Sequence, residues 1–162
     1  MKTKAPYILG LARIFLGLIF LWAFFDKLLG LGFTTTTENA WLNGISPTSG
    51  FLANATYGPF VGFYNSLAGQ IWIDWLFMLG LLGIGLGLTL GILMQLSCWL
   101  GSLMMLLMWS ALLPPEHHPF LDEHIIYTLF LLVIYYTEAE NYLGFGKLWA
   151  KLRFIKKHKL LK

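Results

Sequence analysis

The stretch "PPEHHPFLDEH", Pro114 to His124, gathers three of the chain's four histidines and three carboxylates: Glu116, His117, His118, Asp122, Glu123 and His124. Histidine titrates near neutrality, and a desolvated carboxyl group can be lifted toward the same range. Such groups either ligate a metal or move protons for a redox reaction. A metal site needs ligands that converge. His117 and His118 are adjacent and splay apart, His124 diverges from both once a helix has begun, and no HExxH spacing is present. No metal is therefore expected. None of the four histidines falls in the middle of an apolar run, so no haem held between spans is expected. A single cysteine, Cys98, excludes an intrachain disulfide and a cysteine-held iron–sulfur cluster.

Proton handling suits the residues better. Asp26 closes the first apolar run, Asp74 opens the second, and Asp122 and His124 open the last. These four are the expected catalytic residues, gathered at one depth on the outer side, where they handle protons and orient a substrate. Trp22, Trp75 and Tyr127 are expected to line the slot, with Trp72, Trp109 and Phe120 as further apolar wall. A quinone, which needs an aromatic-lined slot and one or two proton-carrying side chains near a membrane interface, is the cofactor such a set would serve. Set against this, the same charges are what a wet loop between two helices would carry.

The elements that must hold these residues follow from composition. Of 162 residues, 57% are hydrophobic and 12% charged, about half the charge of a soluble domain. A hydrocarbon core of ~30 Å needs about 20 apolar residues in a helix. Runs at 5–32, 71–94, 96–113 and 120–142 meet or approach that length. The expectation is an all-α membrane protein, a four-helix transmembrane bundle over 1–146, multi-pass in a prokaryotic plasma membrane. The first run is too long for a signal-peptide core and is expected to be retained. Pro114 and Pro115 end the third helix. Pro119 suits the first position of the fourth, with His118 as its cap.

Basic residues set the orientation. Lys2 and Lys4 precede the first helix, and Lys147, Lys151, Arg153, Lys156, Lys157, Lys159 and Lys162 follow the fourth. Both termini are therefore expected in the cytoplasm, with 33–70 as an outer cap bearing short helices near 38–44 and 59–69. Asn54 begins an N-glycosylation sequon. The tail, 147–162, places Leu148, Leu152 and Ile155 at helical spacing among its basic residues, as an amphipathic helix on an anionic inner leaflet would. Nucleic-acid binding is not expected of it. Arg13, near the inner end of the first helix, is expected to snorkel to the headgroups, with pairing to Glu138 or Glu140 as the alternative. Gly83, Gly87 and Gly91 form a bare stripe suited to close packing, against another helix or in a homo-oligomer.

Four stretches, "RIFLGLIFLWAFFDKLLGLG", "WLNGISPTSGFL", "WLFMLGLLGIGLGLTLG" and "MWSALLPPEHHPFLDEHIIY", together resemble the DoxX/DoxD-like membrane proteins over Arg13 to Tyr127. That resemblance implies a subunit in quinone-linked oxidation of a small sulfur compound such as thiosulfate, working with a second redox subunit. The rival reading is a non-catalytic membrane scaffold that recruits a soluble redox partner. A solute carrier is disfavoured, because the spans lack internal repeats and polar residues at mid-membrane.

Overall fold

The computed structural model describes residues 4–157, with backbone alone for Lys156 and Lys157. Lys2, Lys159 and Lys162, which contribute to the expected orientation, lie outside the described residues. Helix α1 runs Ala5–Leu29, with proline in its first turn and Gly30 as its left-handed C-cap at φ 67°. A β-carbon at Gly30 would stand 2.6 Å from the Thr36 carbonyl oxygen, so both the backbone conformation and the close approach require glycine. The chain then passes through single 3-10 turns at Thr37–Asn39 and Trp41–Asn43. Short helices α2, Ser49–Asn54, and α3, Val61–Leu67, complete the cap. Turns near 38–44 and a helix within 59–69 match the expected places, whereas α2 was not anticipated.

Helix α4, Ile71–Leu90, and α5, Met94–Ala111, form the expected hairpin, but its turn lies at 91–93, where Gly91 is the left-handed C-cap of α4, rather than around Met94–Ser97, which is the first turn of α5. With α1 they are, among the described residues, the three helices long and apolar enough to cross a membrane, compatible with a multi-pass membrane protein. The fourth helix, α6, is shorter than expected. It spans Glu123–Tyr136, 14 residues, or about 21 Å at the helical rise. His118 Nδ1 does accept from the backbone N–H groups of Phe120 and Leu121. The helix nevertheless starts later, because Asp122 is extended and its carboxylate accepts from the N–H groups of His124 and Ile125. Each side chain satisfies two backbone donors, but the aspartate's negative charge also faces the positive end of the helix, which favours it as the cap. Two short helices follow, α7 at Gly146–Trp149 and α8 at Arg153–Lys157. Over its described residues, 147–157, the tail is two short helices rather than one continuous amphipathic helix: Leu148 and Leu152 are exposed while Ile155 is buried.

α1 packs on α4, α4 on α5, and α5 on α6. Leu16, Phe20, Met78, Ile84, Leu131 and Ile134 lie in their shared core. The helices' other faces expose Phe15, Ile19, Leu79, Leu103 and Leu129. The α1–α4 crossing is close because of Gly17 and Gly85, outside the expected stripe. That stripe divides: Gly87 faces Ser97 and Gly91 faces Arg13, whereas Gly83 has open space before it.

Arg13 does not snorkel. It is 0% exposed, and its guanidinium donates to the carbonyls of Leu88, Thr89 (3.2 Å), Tyr142 (3.4 Å) and Leu143 (3.1 Å). Leu88 and Thr89 belong to the last turn of α4, where carbonyls have no helical donor and a cation meets the negative end of the helix. Phe145 N–H donates to Leu90 O at 2.8 Å, stitching the same strip of chain to the same helix end. Glu140 lies beside this clamp, where burial pushes its carboxyl group upward from the ordinary range more than the nearby Arg13 charge draws it down.

Candidate functional site

The acidic residues expected to converge each have partners of their own. Asp26, buried in the last turn of α1, accepts from Thr34 N–H at 2.9 Å, Thr34 Oγ1 at 2.6 Å and Phe33 N–H at 3.2 Å. It anchors the start of the cap by satisfying donors that leave the helix without partners of their own. Asp74, in the first turn of α4, accepts from Ser46 Oγ at 2.7 Å and Thr48 Oγ1 at 2.6 Å. A carboxylate at a helix start is favoured by the dipole, and here it also ties down the middle of the cap.

Asp122 caps α6 and pairs with His124, whose Nδ1 stands 2.8 Å from Asp122 Oδ2; both side chains are 11% exposed. With Nδ1 donating to the carboxylate, Nε2 is left as the acceptor. Asp122, Glu123 and His124 bring one ligating atom each within 4.8 Å of one another. Both Asp122 oxygens are engaged by the cap and the histidine, which is the arrangement of a helix start. Trp22 meets Phe33 edge-on at 4.9 Å and lines a shallow groove on α1 with Phe15, Leu18 and Ile19. Trp75 meets Trp41 at 4.8 Å, and Tyr127 packs against the helical core. Of the seven expected site residues, the structure joins Asp122 to His124 by hydrogen bonding and gives the others separate roles.

A cleft of about 520 Å³ lies elsewhere, between α4 and α5. Its walls include Phe77, Gly80 and Ile84 from α4, and Leu103, Met104 and Leu107 from α5. Its roof is the cap, through Thr48, Phe51, Leu52 and Tyr64. Tyr64 Oη donates to Leu107 O at 2.9 Å, pinning α3 to α5. The lining runs along α5 from Leu100 to Ala111, about 16 Å at the helical rise. Leu76, Leu79, Leu103 and Leu107 are exposed as well as lining, so the cleft opens sideways. Among the described residues, the sole charged residue in the lining is Lys27.

None of the seven expected residues lines this cleft, yet Asp74 shapes it through Thr48. Asp74→Ala is expected to leave the buried Thr48 hydroxyl without its acceptor and to lower stability by about 2 kcal/mol. Asp74→Asn, which keeps one acceptor oxygen, is expected to lose less. Thermal unfolding of the three proteins in one detergent measures this, and an unchanged Asp74→Ala midpoint would contradict the assigned tether. The cleft was missed because its lining is ordinary Leu, Met and Phe, which in a sequence are indistinguishable from core or lipid-facing residues. The available signal was Lys27, which points about 100° away from Asp26 on the helix and had no assigned partner. No protein-family model, curated protein or solved structure matches this chain.

Proposed function

We propose that the chain is an integral membrane redox subunit that binds a quinone in the α4–α5 cleft and serves the oxidation of a small sulfur compound such as thiosulfate. The observation that carries this reading is the cleft itself: long, apolar, laterally open and closed at one end by a polar-tethered roof. Sites for small amphiphilic ligands have that character, mostly apolar with a few placed polar groups. The residues fit the group. Apolar walls suit an isoprenoid tail, and Lys27 supplies a donor for a ring carbonyl. A bound quinone supplies acceptance of two electrons and two protons. The resemblance to DoxX/DoxD-like proteins supports the sulfur substrate and a second subunit that delivers the electrons.

In this reading α6 is a fourth, short span of a four-helix bundle, and both termini face the cytoplasm of a prokaryotic cell. The His124–Asp122 pair lies at the cap end, where Trp109 Nε1 donates to Phe120 O at 2.8 Å and joins the end of α5 to the approach to α6. Asp122 fixes the orientation of the His124 imidazole through Nδ1. Asp26 and Asp74 are positioning residues that hold the roof.

The test is purification with native lipids, followed by extraction of bound quinone and a thiosulfate-driven quinone reduction assay. About one quinone per chain is expected, and Leu107→Trp, which fills the cleft, should lower its occupancy about tenfold, a loss of about 1.4 kcal/mol. Absence of quinone and turnover together with a co-purifying soluble redox protein would replace this reading with the scaffold.

A further inference from the structure

Lys27 is placed where its charge has little else to do. It stands in the last turn of α1 and lines the cleft together with the cap residues Thr48 and Phe51. Its neighbour Asp26 is committed to Thr34 and Phe33, and among the described residues no lysine or arginine nitrogen lies within 4 Å of a carboxylate oxygen. No carboxylate of those residues lines the cleft. Thr48 Oγ1 already donates to Asp74, and Tyr64 Oη to Leu107 O. The cleft therefore presents one cationic side chain beside a long apolar slot, and the adjacent carboxylate, Asp26, is already engaged by Thr34 and Phe33.

We infer that this cleft binds a long-chain carboxylate, with Lys27 Nζ pairing the headgroup and the chain lying along α4 and α5. A cation in apolar surroundings is costly alone and is stabilised by a matching anion that brings its own apolar tail. A charge-assisted N–H to carboxylate contact is stronger than one to a neutral oxygen. The same geometry disfavours a cationic head, because like charges meet at close range. The inference rests on the cleft being a ligand site, as the quinone reading does, but not on the physiological ligand being a quinone. A fatty acid and a quinone should compete, since both need the same slot.

The experiment uses the full chain in nanodiscs of zwitterionic phosphatidylcholine, with radiolabelled palmitate as the probe at alkaline pH. Palmitate is expected to bind saturably. Hexadecanol should displace it at least about tenfold less well, and hexadecylamine should not displace it. Lys27→Met should weaken palmitate about tenfold or more while leaving hexadecanol binding unchanged, and Lys27→Arg should retain it. Equal binding of palmitate and hexadecanol to the native chain would overturn the inference, as expected of a Lys27 whose amine rests in the headgroup layer. So would palmitate binding that survives Lys27→Met. Leu107→Trp is the control for place: it should abolish both probes, and palmitate binding unaffected by it would put the lipid outside the cleft. Long-chain quinone separates the two proposals. If quinone binds and palmitate does not, the quinone reading stands and this inference falls. If palmitate binds through Lys27 and quinone does not, the reverse holds.

Discussion

Arg13→Met should unfold the protein roughly 10 °C or more below the native midpoint. The guanidinium is fully buried and is the shared donor for Leu88 O, Thr89 O, Tyr142 O and Leu143 O. Methionine replaces the apolar stem but reaches only as far as the Nε position and has no donor, so those carbonyls lose their charged partner. A hydrogen bond to a charged group contributes about 1.5–3 kcal/mol, and an orphaned buried acceptor costs about 1–3 kcal/mol. Even with partial relaxation, a loss of about 4 kcal/mol is expected, and each kcal/mol moves the midpoint of a chain this size by roughly 2–4 °C. Arg13→Lys should fall between, because one ammonium cannot reproduce the planar fork that reaches both α4 and the 142–143 strip. Thermal unfolding in a single detergent decides it. A midpoint within about 2 °C of native for Arg13→Met would show that the clamp contributes nothing. The expected damage is local before it is global. Protease should first find the chain after α6, since Arg13 and the Phe145 to Leu90 hydrogen bond hold it down.

The second large effect is at the α1–α4 crossing. A β-carbon at Gly17 would lie 2.5 Å from Thr89 Oγ1 and 2.6 Å from Thr89 N, and one at Gly85 would lie 2.9 Å from Leu21 N. Backbone cannot yield as a flexible side chain does, so Gly17→Val must push the two helices apart. Overpacking of this kind costs about 3 kcal/mol, and here it also opens the core around Leu16, Phe20 and Ile84. Gly83→Ala on α4 is the matched control, with no atom within 4 Å of the new methyl group. It should be neutral or stabilising by up to about 1 kcal/mol, through helix propensity. Equal losses for the two substitutions would contradict the packing assigned to Gly17.

How legible these features were depends on what each one needs. Long helices depend on local apolar runs and on breakers, so α1, α4 and α5 could be placed from Pro6, Gly30, Gly91 and the paired prolines at 114 and 115. The end of α6 depended on Thr137 and on Glu138, a non-glycine residue held at φ 50°, which no periodicity anticipates. The glycine stripe at 83, 87 and 91 was visible as spacing. Which glycines meet a neighbour is settled by the rotation of α4 against α1, and that rotation selected Gly17 and Gly85.

The candidate site divides in the same manner. The Asp122–His124 pair is two residues apart on one helix start, so local geometry alone brings it together. Asp26 and Asp74 were expected to handle protons together with Asp122 and His124, whereas each is engaged separately, by Phe33 and Thr34 and by Ser46 and Thr48, donors from an irregular cap. A carboxylate in an apolar setting takes the nearest donors that its backbone can deliver, and the path of a loop cannot be read from its composition.

By itself the sequence determined the apolar helical character of the protein, the approximate places of its three long helices, and the hairpin of α4 and α5. Tertiary structure alone decided what compensates the buried charges. It turned Arg13 inward onto the end of α4, closed the cap over α4 and α5, and left Lys27 as the one charge among the described residues that lines the cleft between them. The reason is physical: hydrophobic runs are a property of neighbouring residues, whereas a buried charge and an apolar cavity are defined by atoms that the fold brings from distant parts of the chain.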